Sequence, residues 1–374
     1  MKKQKLSFNK FWLLVLILPL VLSGCLGINI KKKDSAAGNL AYGGLFRTAN
    51  LGKTWDHVTN LYTIGGQQVN FNATNLTVYA EDPSDPATIY LGTQVNGVYY
   101  SYNYGNGWFN TLRDLGTVNS IAVDPRNKCT VYVAVHNSLY KSTDCSRSWD
   151  RVYFETKPGQ FMTTVAVNGS DNRVIYAGTS DGKFLKSHDY GRSWDTIHRF
   201  DQKITFLVAQ NHIDGNIVYV NVANKGLFKS VDGAANFQDL MELPIIEPDD
   251  PGIEDAASLK STGYINALYI GIDKSVPDGI LFVNNTGLFR LKDSQTWQQV
   301  ELLSPNRGDV IYAFEVNPQN TNEIFYGTTV AIYHSIDGGK NWDVNPLPTP
   351  NSARFFKFSQ DNKFMYLGTF FIRQ

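Results

Sequence analysis

Ser187 to Trp194 (SHDYGRSW) and Ser335 to Trp342 (SIDGGKNW) are two complete copies of one phrase, S-x-D-x-G-x-x-W. Five looser copies accompany them: Thr48 to Trp55, Ser101 to Trp108, Ser142 to Trp149, Ser230 to Phe237, and Leu291 to Trp297, the last a residue short. The acid position holds Asn50, Asn103, Asp144, Asp189, Asp232, Asp293 and Asp337; the closing aromatics are Trp55, Trp108, Trp149, Trp194, Phe237, Trp297 and Trp342. Those aromatics stand 53, 41, 45, 43, 60 and 45 residues apart. A period of about 40–45 residues is that of a four-stranded propeller blade.

The segments before the copies repeat as well. Val118 to Ser142 reads as a strand, a Pro-containing turn, a β-branched strand, a His-Asn turn and a third strand, and Phe161 to Ser187 repeats that order. Short apolar alternations between turn clusters are the signature of strands. No sustained helical period follows the N-terminus, and 20 Tyr, 22 Phe and 31 Gly suit an all-β chain. The ends complement each other: Leu40 to Arg47 supplies enough for outer strands, and Ala353 to Phe371 supplies inner strands without a copy of the phrase. The fold expected is an all-β, seven-bladed β-propeller over residues 40–374, with six continuous blades and a seventh shared by the two termini, which leaves no free edge. Its third strand is either Gly44 to Thr48 or Phe370 to Arg373.

The phrase resembles the Asp-box of the bacterial-neuraminidase repeat, found in sialidases, sortilin-type domains, xyloglucanase-type glycosidases and photosystem II assembly factors of the Ycf48 type. In such a turn the Asp or Asn accepts bonds from nearby backbone N–H groups, a Gly supplies positive φ and the aromatic covers neighbouring strands. The Asp residues are therefore read as turn formers rather than catalysts.

The N-terminus carries a second signal. Met1 to Lys10 holds four lysines, Phe11 to Leu22 is an uncharged apolar run too short to span a bilayer comfortably, and Leu22-Ser23-Gly24-Cys25 follows. This resembles a bacterial lipobox, which implies a signal peptide over residues 1–24, lipidation of Cys25, a tether over residues 25–39 and a location on the extracytoplasmic face of the envelope. Two cysteines remain. Cys129 and Cys145 lie equidistant from the turn at Asn137, on what read as antiparallel neighbours, and a disulfide between them is expected.

Formal net charge is zero, from 34 basic and 34 acidic residues, which gives no support for a nucleic-acid partner. A sialidase would need an Arg-Ile-Pro motif near the start, and none occurs. A glycosidase needs two carboxylates facing each other across a cleft; Asp114, Glu155, Asp181 and Asp201 are available, but each reads as a solvated loop residue. The six His share no ligand spacing, and there is neither a phosphate loop nor a nucleophile elbow. The 60-residue interval contains Glu247, Asp249, Asp250, Glu254 and Asp255, five carboxylates in nine residues. They are the one candidate for a ligand loop and for Ca²⁺, although without regular ligand spacing a proline-stiffened acidic surface loop is the simpler reading, and neither a metal nor a cofactor is expected. A second insertion, Leu61 to Asn75, reads as a polar rim. The sequence thus favours a monomeric, membrane-anchored binding or assembly scaffold for an envelope protein or glycan. A xyloglucanase-like hydrolase is the alternative, and a Ycf48-like photosystem assembly factor the second alternative.

Overall fold

In this computed structural model residues 43–371 are described, except 66, 210–214, 247–256, 264, 274–275, 277, 285–286, 292–294, 301 and 304–309. The signal peptide, Cys25, the tether, the acidic loop from Glu247 to Asp255, and Asp293 lie outside the described residues.

The apolar alternations form seven antiparallel sheets, each ordered from an inner to an outer strand. Blade 1 comprises Leu76–Asp82, Asp85–Thr93, Val98–Ser101 and Phe109–Thr111; blade 2 comprises Val118–Asp124, Asn127–Val135, Ser138–Ser142 and Asp150–Phe154. Blade 3 comprises Met162–Val167, Ile175–Thr179, Lys183–Ser187 and Asp195–Arg199; blade 4 comprises Ile204–Ala209, Val218–Val222, Gly226–Ser230 and Gln238–Asp239. Blade 5 comprises Tyr269–Asp273, Gly279–Asn284, Gly287–Leu291 and Trp297–Val300; blade 6 comprises Ala313–Val316, Ile324–Gly327, Ala331–Ser335 and Asp343–Pro346. Blade 7 takes its inner strands, Ser352–Phe358 and Met365–Phe370, from the C-terminus, and its outer strands, Leu45–Thr48 and Asp56–His57, from the N-terminus. Leu45 pairs with Gly368 and Thr48 with Met365, so the N-terminal alternative supplies the third strand, and Phe370 ends the second.

The core lies between blades. Second strands are covered on both faces, as in Ile175–Thr179, where every residue is buried, whereas the outer strand Asp195–Arg199 is exposed throughout. Close approach requires glycine at one recurrent place: a Cβ on Gly178 would sit 2.8 Å from Ile204 of blade 4, and one on Gly327 would sit 2.6 Å from Ala353 of blade 7. Five second strands also carry a buried tyrosine paired with the residue just before the box (Tyr90, Tyr132, Tyr176, Tyr219, Tyr366), and Leu281 and Phe325 stand there in blades 5 and 6.

Two insertions differ from the sequence expectation. Blade 5 has five strands rather than four, because Ile245–Ile246 pairs in parallel with Trp297 and Gln298 and covers the outer edge. The Leu61 to Asn75 segment is not merely a polar rim. Its Phe71 is buried, stacks on Tyr99 with centroids 4.4 Å apart, and meets the Trp108 ring edge-on, which fastens the insertion to blade 1.

Candidate functional site

The boxes come first, since they carry most of the polar residues the sequence singles out. In blade 3 the Ser187 hydroxyl donates to Asp189 Oδ1 (2.8 Å) and accepts the Gly191 N–H (2.8 Å). Asp189 Oδ1 also accepts the Ser193 N–H (2.8 Å), and Oδ2 accepts the Ser193 hydroxyl (2.7 Å). The same pattern recurs at Ser142–Asp144–Ser148, Ser230–Asp232–Asn236 and Ser335–Asp337–Asn341, and Thr48–Asn50–Thr54 reproduces it without a charge. Asn103 keeps the link from Ser101, and its amide donates to the Tyr62 hydroxyl because Gly107 offers no side chain. The residue just before the aromatic is thus part of the box, a feature the sequence reading missed. Both oxygens of each described Asp are committed to their own turn. Bonds from Ser148 to Asp144, Ser193 to Asp189, Asn236 to Asp232 and Asn341 to Asp337 hold these carboxyls down at about 2. Groups so engaged cannot serve as general acids near neutral pH.

Three boxes, those of blades 1, 3 and 4, are also clips on the blade before them. The Tyr132 hydroxyl and the Lys141 ammonium of blade 2 both donate to the Tyr190 carbonyl in the blade 3 box, at 3.0 Å each. Tyr176 and Lys186 of blade 3 meet the Gly233 carbonyl of blade 4 in the same way, and Tyr366 and Arg47 of blade 7 meet Tyr104 of blade 1. Two closing indoles donate to carbonyls of the preceding blade, Trp108 Nε1 to that of Val58 and Trp297 Nε1 to that of Leu240, both at 2.8 Å, whereas Trp194 and Trp342 donate to the Gly191 and Gly339 carbonyls of their own boxes.

The other expected site residues are dispersed. Asp181 accepts the Thr179 hydroxyl and lies 3.3 Å from Lys157, while Asp201 is exposed beside Lys225. Asp114 is exposed. Glu155 corrects the sequence reading: it is buried rather than solvated, because Lys183 reaches it at 2.6 Å and the Lys157 N–H caps its other oxygen. Burial alone would raise its carboxyl, yet the Lys183 and Lys157 bonds bring it below the usual range. Glu155 and Asp181 come within electrostatic reach of each other, with Lys183 bonded to the first and Lys157 to the second. Cys129 and Cys145 face each other with Cα atoms 3.9 Å apart and their Sγ atoms in bonding contact, and the Cys145 N–H donates to the Cys129 carbonyl.

A cavity of about 490 Å³ lies among the inner strands, lined by residues of blades 1, 2, 4, 5, 6 and 7. Its polar centre is Glu315 on blade 6, buried, with Lys357 of blade 7 at 2.7 Å; the Lys357 ammonium also donates to the Tyr269 hydroxyl of blade 5 at 2.8 Å. Burial opposes the ammonium, but the Glu315 charge and the Tyr269 hydroxyl prevail and raise the Lys357 pKa above its usual value. Arg354, three residues nearer the start of the same strand, also lines the cavity, and its guanidinium has no carboxylate partner among the described residues. Arg354 is exposed on its strand, its guanidinium lies 5.8 Å from the Phe370 ring centroid, and partial desolvation lowers its pKa. The buried Asn221 donates to the Thr205 hydroxyl while its Oδ1 is unpartnered. Glu315 is the one acidic side chain among the described lining residues. The sequence signal for this site was a charge inside an apolar inner strand, in Ala313-Phe314-Glu315-Val316 and in Phe355-Phe356-Lys357-Phe358.

Fold and boxes together define a seven-bladed propeller of the sortilin-, xyloglucanase- and Ycf48-like kind. The family model described as sortilin, neurotensin receptor 3 (Sortilin-Vps10) matches residues 96–231. A xyloglucanase of Acetivibrio thermocellus, Xgh74A, is 24% identical over 351 residues, covering 80% of this chain and 37% of its own length. The structure of a GH74 enzyme from Niastella koreensis superposes with a TM-score of 0.60 at 16% identity, over 83% of this chain and 53% of that one. A structure of YCF48 bound to D1 peptide gives a TM-score of 0.58 at 15% identity, over 88% of this chain and 98% of that one. The chain thus spans about half or less of the length of this xyloglucanase and of this GH74 enzyme.

Proposed function

We propose that this propeller is a non-catalytic binding scaffold, anchored at the extracytoplasmic face of the envelope through lipidated Cys25, and that its channel receives an anionic segment of a protein partner. The observation that carries this reading is the pairing inside the channel. Glycoside hydrolysis needs two carboxylates about 5–10 Å apart, one of them protonated, whereas here the one acidic lining residue is neutralised by Lys357 and the neighbouring Arg354 is unpaired. A guanidinium that lines the channel without a carboxylate partner among the described residues favours a planar carboxylate. The structure of YCF48 bound to D1 peptide supports the same use of the fold.

The test is capture from envelope extract by the anchored protein, compared with Arg354→Gln and with a deletion of residues 247–255. Specific partners retained by the wild type, released by salt and lost in Arg354→Gln are the expected result. Partner loss only on loop deletion would move the site to that loop. Release of reducing sugar from xyloglucan, abolished by Glu315→Gln, would replace the scaffold reading with the hydrolase. Retention of Cys25→Ala in the membrane fraction would remove the anchor.

A further inference from the structure

One box departs from the rest at its closing aromatic, and the departure opens a second cavity. Val98, Leu139 and Phe184 each stand three residues before a box serine, and they pair with Thr111, Tyr153 and His198, so these three occupy one position on the outer strands of blades 1, 2 and 3. The closing aromatic of the following blade meets each of them. Trp149 donates its indole N–H to the Thr111 hydroxyl at 2.9 Å, and Trp194 lies edge-on to Tyr153 with centroids 5.9 Å apart. In blade 4 the aromatic is Phe237, 5.5 Å from the His198 ring, and it has neither the second ring nor the N–H. Between it and blade 3 lies a cavity of about 300 Å³ lined by His198, Arg199, Phe200, Lys225, Phe228 and Phe237.

The walls of this cavity have a definite chemistry. Phe200 meets Phe237 edge-on at 5.3 Å and Phe228 at 5.5 Å, and His198 lies 4.4 Å from Phe200, so four rings surround the space. Aromatic walls of this kind favour another flat ring. His198 has ring contacts but no hydrogen-bond partner among the described residues, and Arg199 has no carboxylate partner among them. Lys225 is 3.6 Å from Asp201 in an exposed pair, a contact too weak and too wet to fix it. We propose that this cavity binds a small planar aromatic carboxylate: the ring takes the place that an indole fills in the other boxes, and the carboxylate meets the Arg199 guanidinium. This does not depend on the use of the central channel.

Indole-3-acetate is the probe, with indole and acetate as controls, titrated into the purified chain by saturation-transfer NMR and calorimetry. The wild type should bind indole-3-acetate saturably and compete it with indole, whereas acetate alone should not compete. Phe237→Trp should weaken binding at least tenfold, because the side chain itself fills the space as in the other boxes. Arg199→Gln, at an exposed position where folding is not at stake, should weaken indole-3-acetate about tenfold and leave indole unchanged. Absence of saturable binding by the wild type, or unchanged binding by Phe237→Trp, would overturn the site. Unchanged binding by Arg199→Gln would overturn the carboxylate assignment.

Discussion

At Asp337 one oxygen accepts the Ser335 hydroxyl at 2.8 Å and the Asn341 N–H at 2.9 Å, and the other accepts the Asn341 amide at 2.7 Å. Charge sharpens this turn but is not required for it, since Asn50 Oδ1 accepts the Thr48 hydroxyl and the Thr54 N–H in the same way while its amide donates to the Thr54 hydroxyl. The four described Asp boxes therefore carry a pH signature. Their carboxyls sit at about 2 in the folded chain and near 3.9 when unfolded. Between those values the unfolded state binds more protons, so stability falls as pH falls. The urea midpoint should hold from pH 7 to about pH 5, decline as pH drops below about 4, and lose much of that slope when Asp144, Asp189, Asp232 and Asp337 are all replaced by Asn. A slope unchanged in the quadruple variant would place the acid sensitivity elsewhere. At this scale the acid, the Gly and the aromatic were legible because they recur in one register. The Tyr and Lys that clip the boxes of blades 3 and 4 to the preceding blade were visible as residues, but their partners lie 47 to 58 positions away, beyond any local pattern.

At the scale of strands, the hairpin from Asn127 to Ser142 shows how far spacing alone can reach. Its turn falls at His136, whose φ is +48°, and Val135 pairs with Ser138, so the expected symmetry about Asn137 is displaced by half a residue. That small shift still brings Cys129 opposite Cys145. The cross-link would close a loop with a sequence separation of 16, for which chain entropy gives about 3 kcal/mol. Protein prepared from an oxidising compartment should show no free thiol from this pair until reductant is added, and reduction should lower stability by roughly 2–3 kcal/mol in urea titrations. Equal thiol counts with and without reductant would refute the pairing. The added strand at Ile245–Ile246 was not legible, because two residues carry no periodicity and parallel pairing with Trp297 depends on the placement of the whole insertion. Phe71 was missed for a related reason: a single apolar residue in a polar loop shows nothing of the stack it joins.

For the molecule as a whole, the sequence determined blade number and order, and left open which terminus completes blade 7. The channel site was hardly legible, because Glu315, Lys357 and Tyr269 come from three different blades and meet only when the ring closes. Closure rests on Leu45–Thr48 pairing with Met365–Phe370 and on the Arg47 and Tyr366 bonds to Tyr104. A chain lacking residues 43–57 would leave the edge of Met365–Phe370 unpaired. It should lose cooperative melting and self-associate through that edge, which size-exclusion chromatography with light scattering would register. A monodisperse truncated monomer with the full-length melting profile would show that closure is dispensable.

Because blade 7 joins Thr48 to Met365, Leu45–Thr48 waits for a partner synthesised much later. Blades 1 to 6 can assemble in order of emergence, yet Leu45–Thr48 has only Asp56–His57 to pair with until more than three hundred residues have followed it. Contacts of such sequence separation are the slow ones in folding. Time thus enters as a hazard for this chain, and whatever shields the strand around Phe46 during that interval is as much a condition of its native state as any bond in the finished ring.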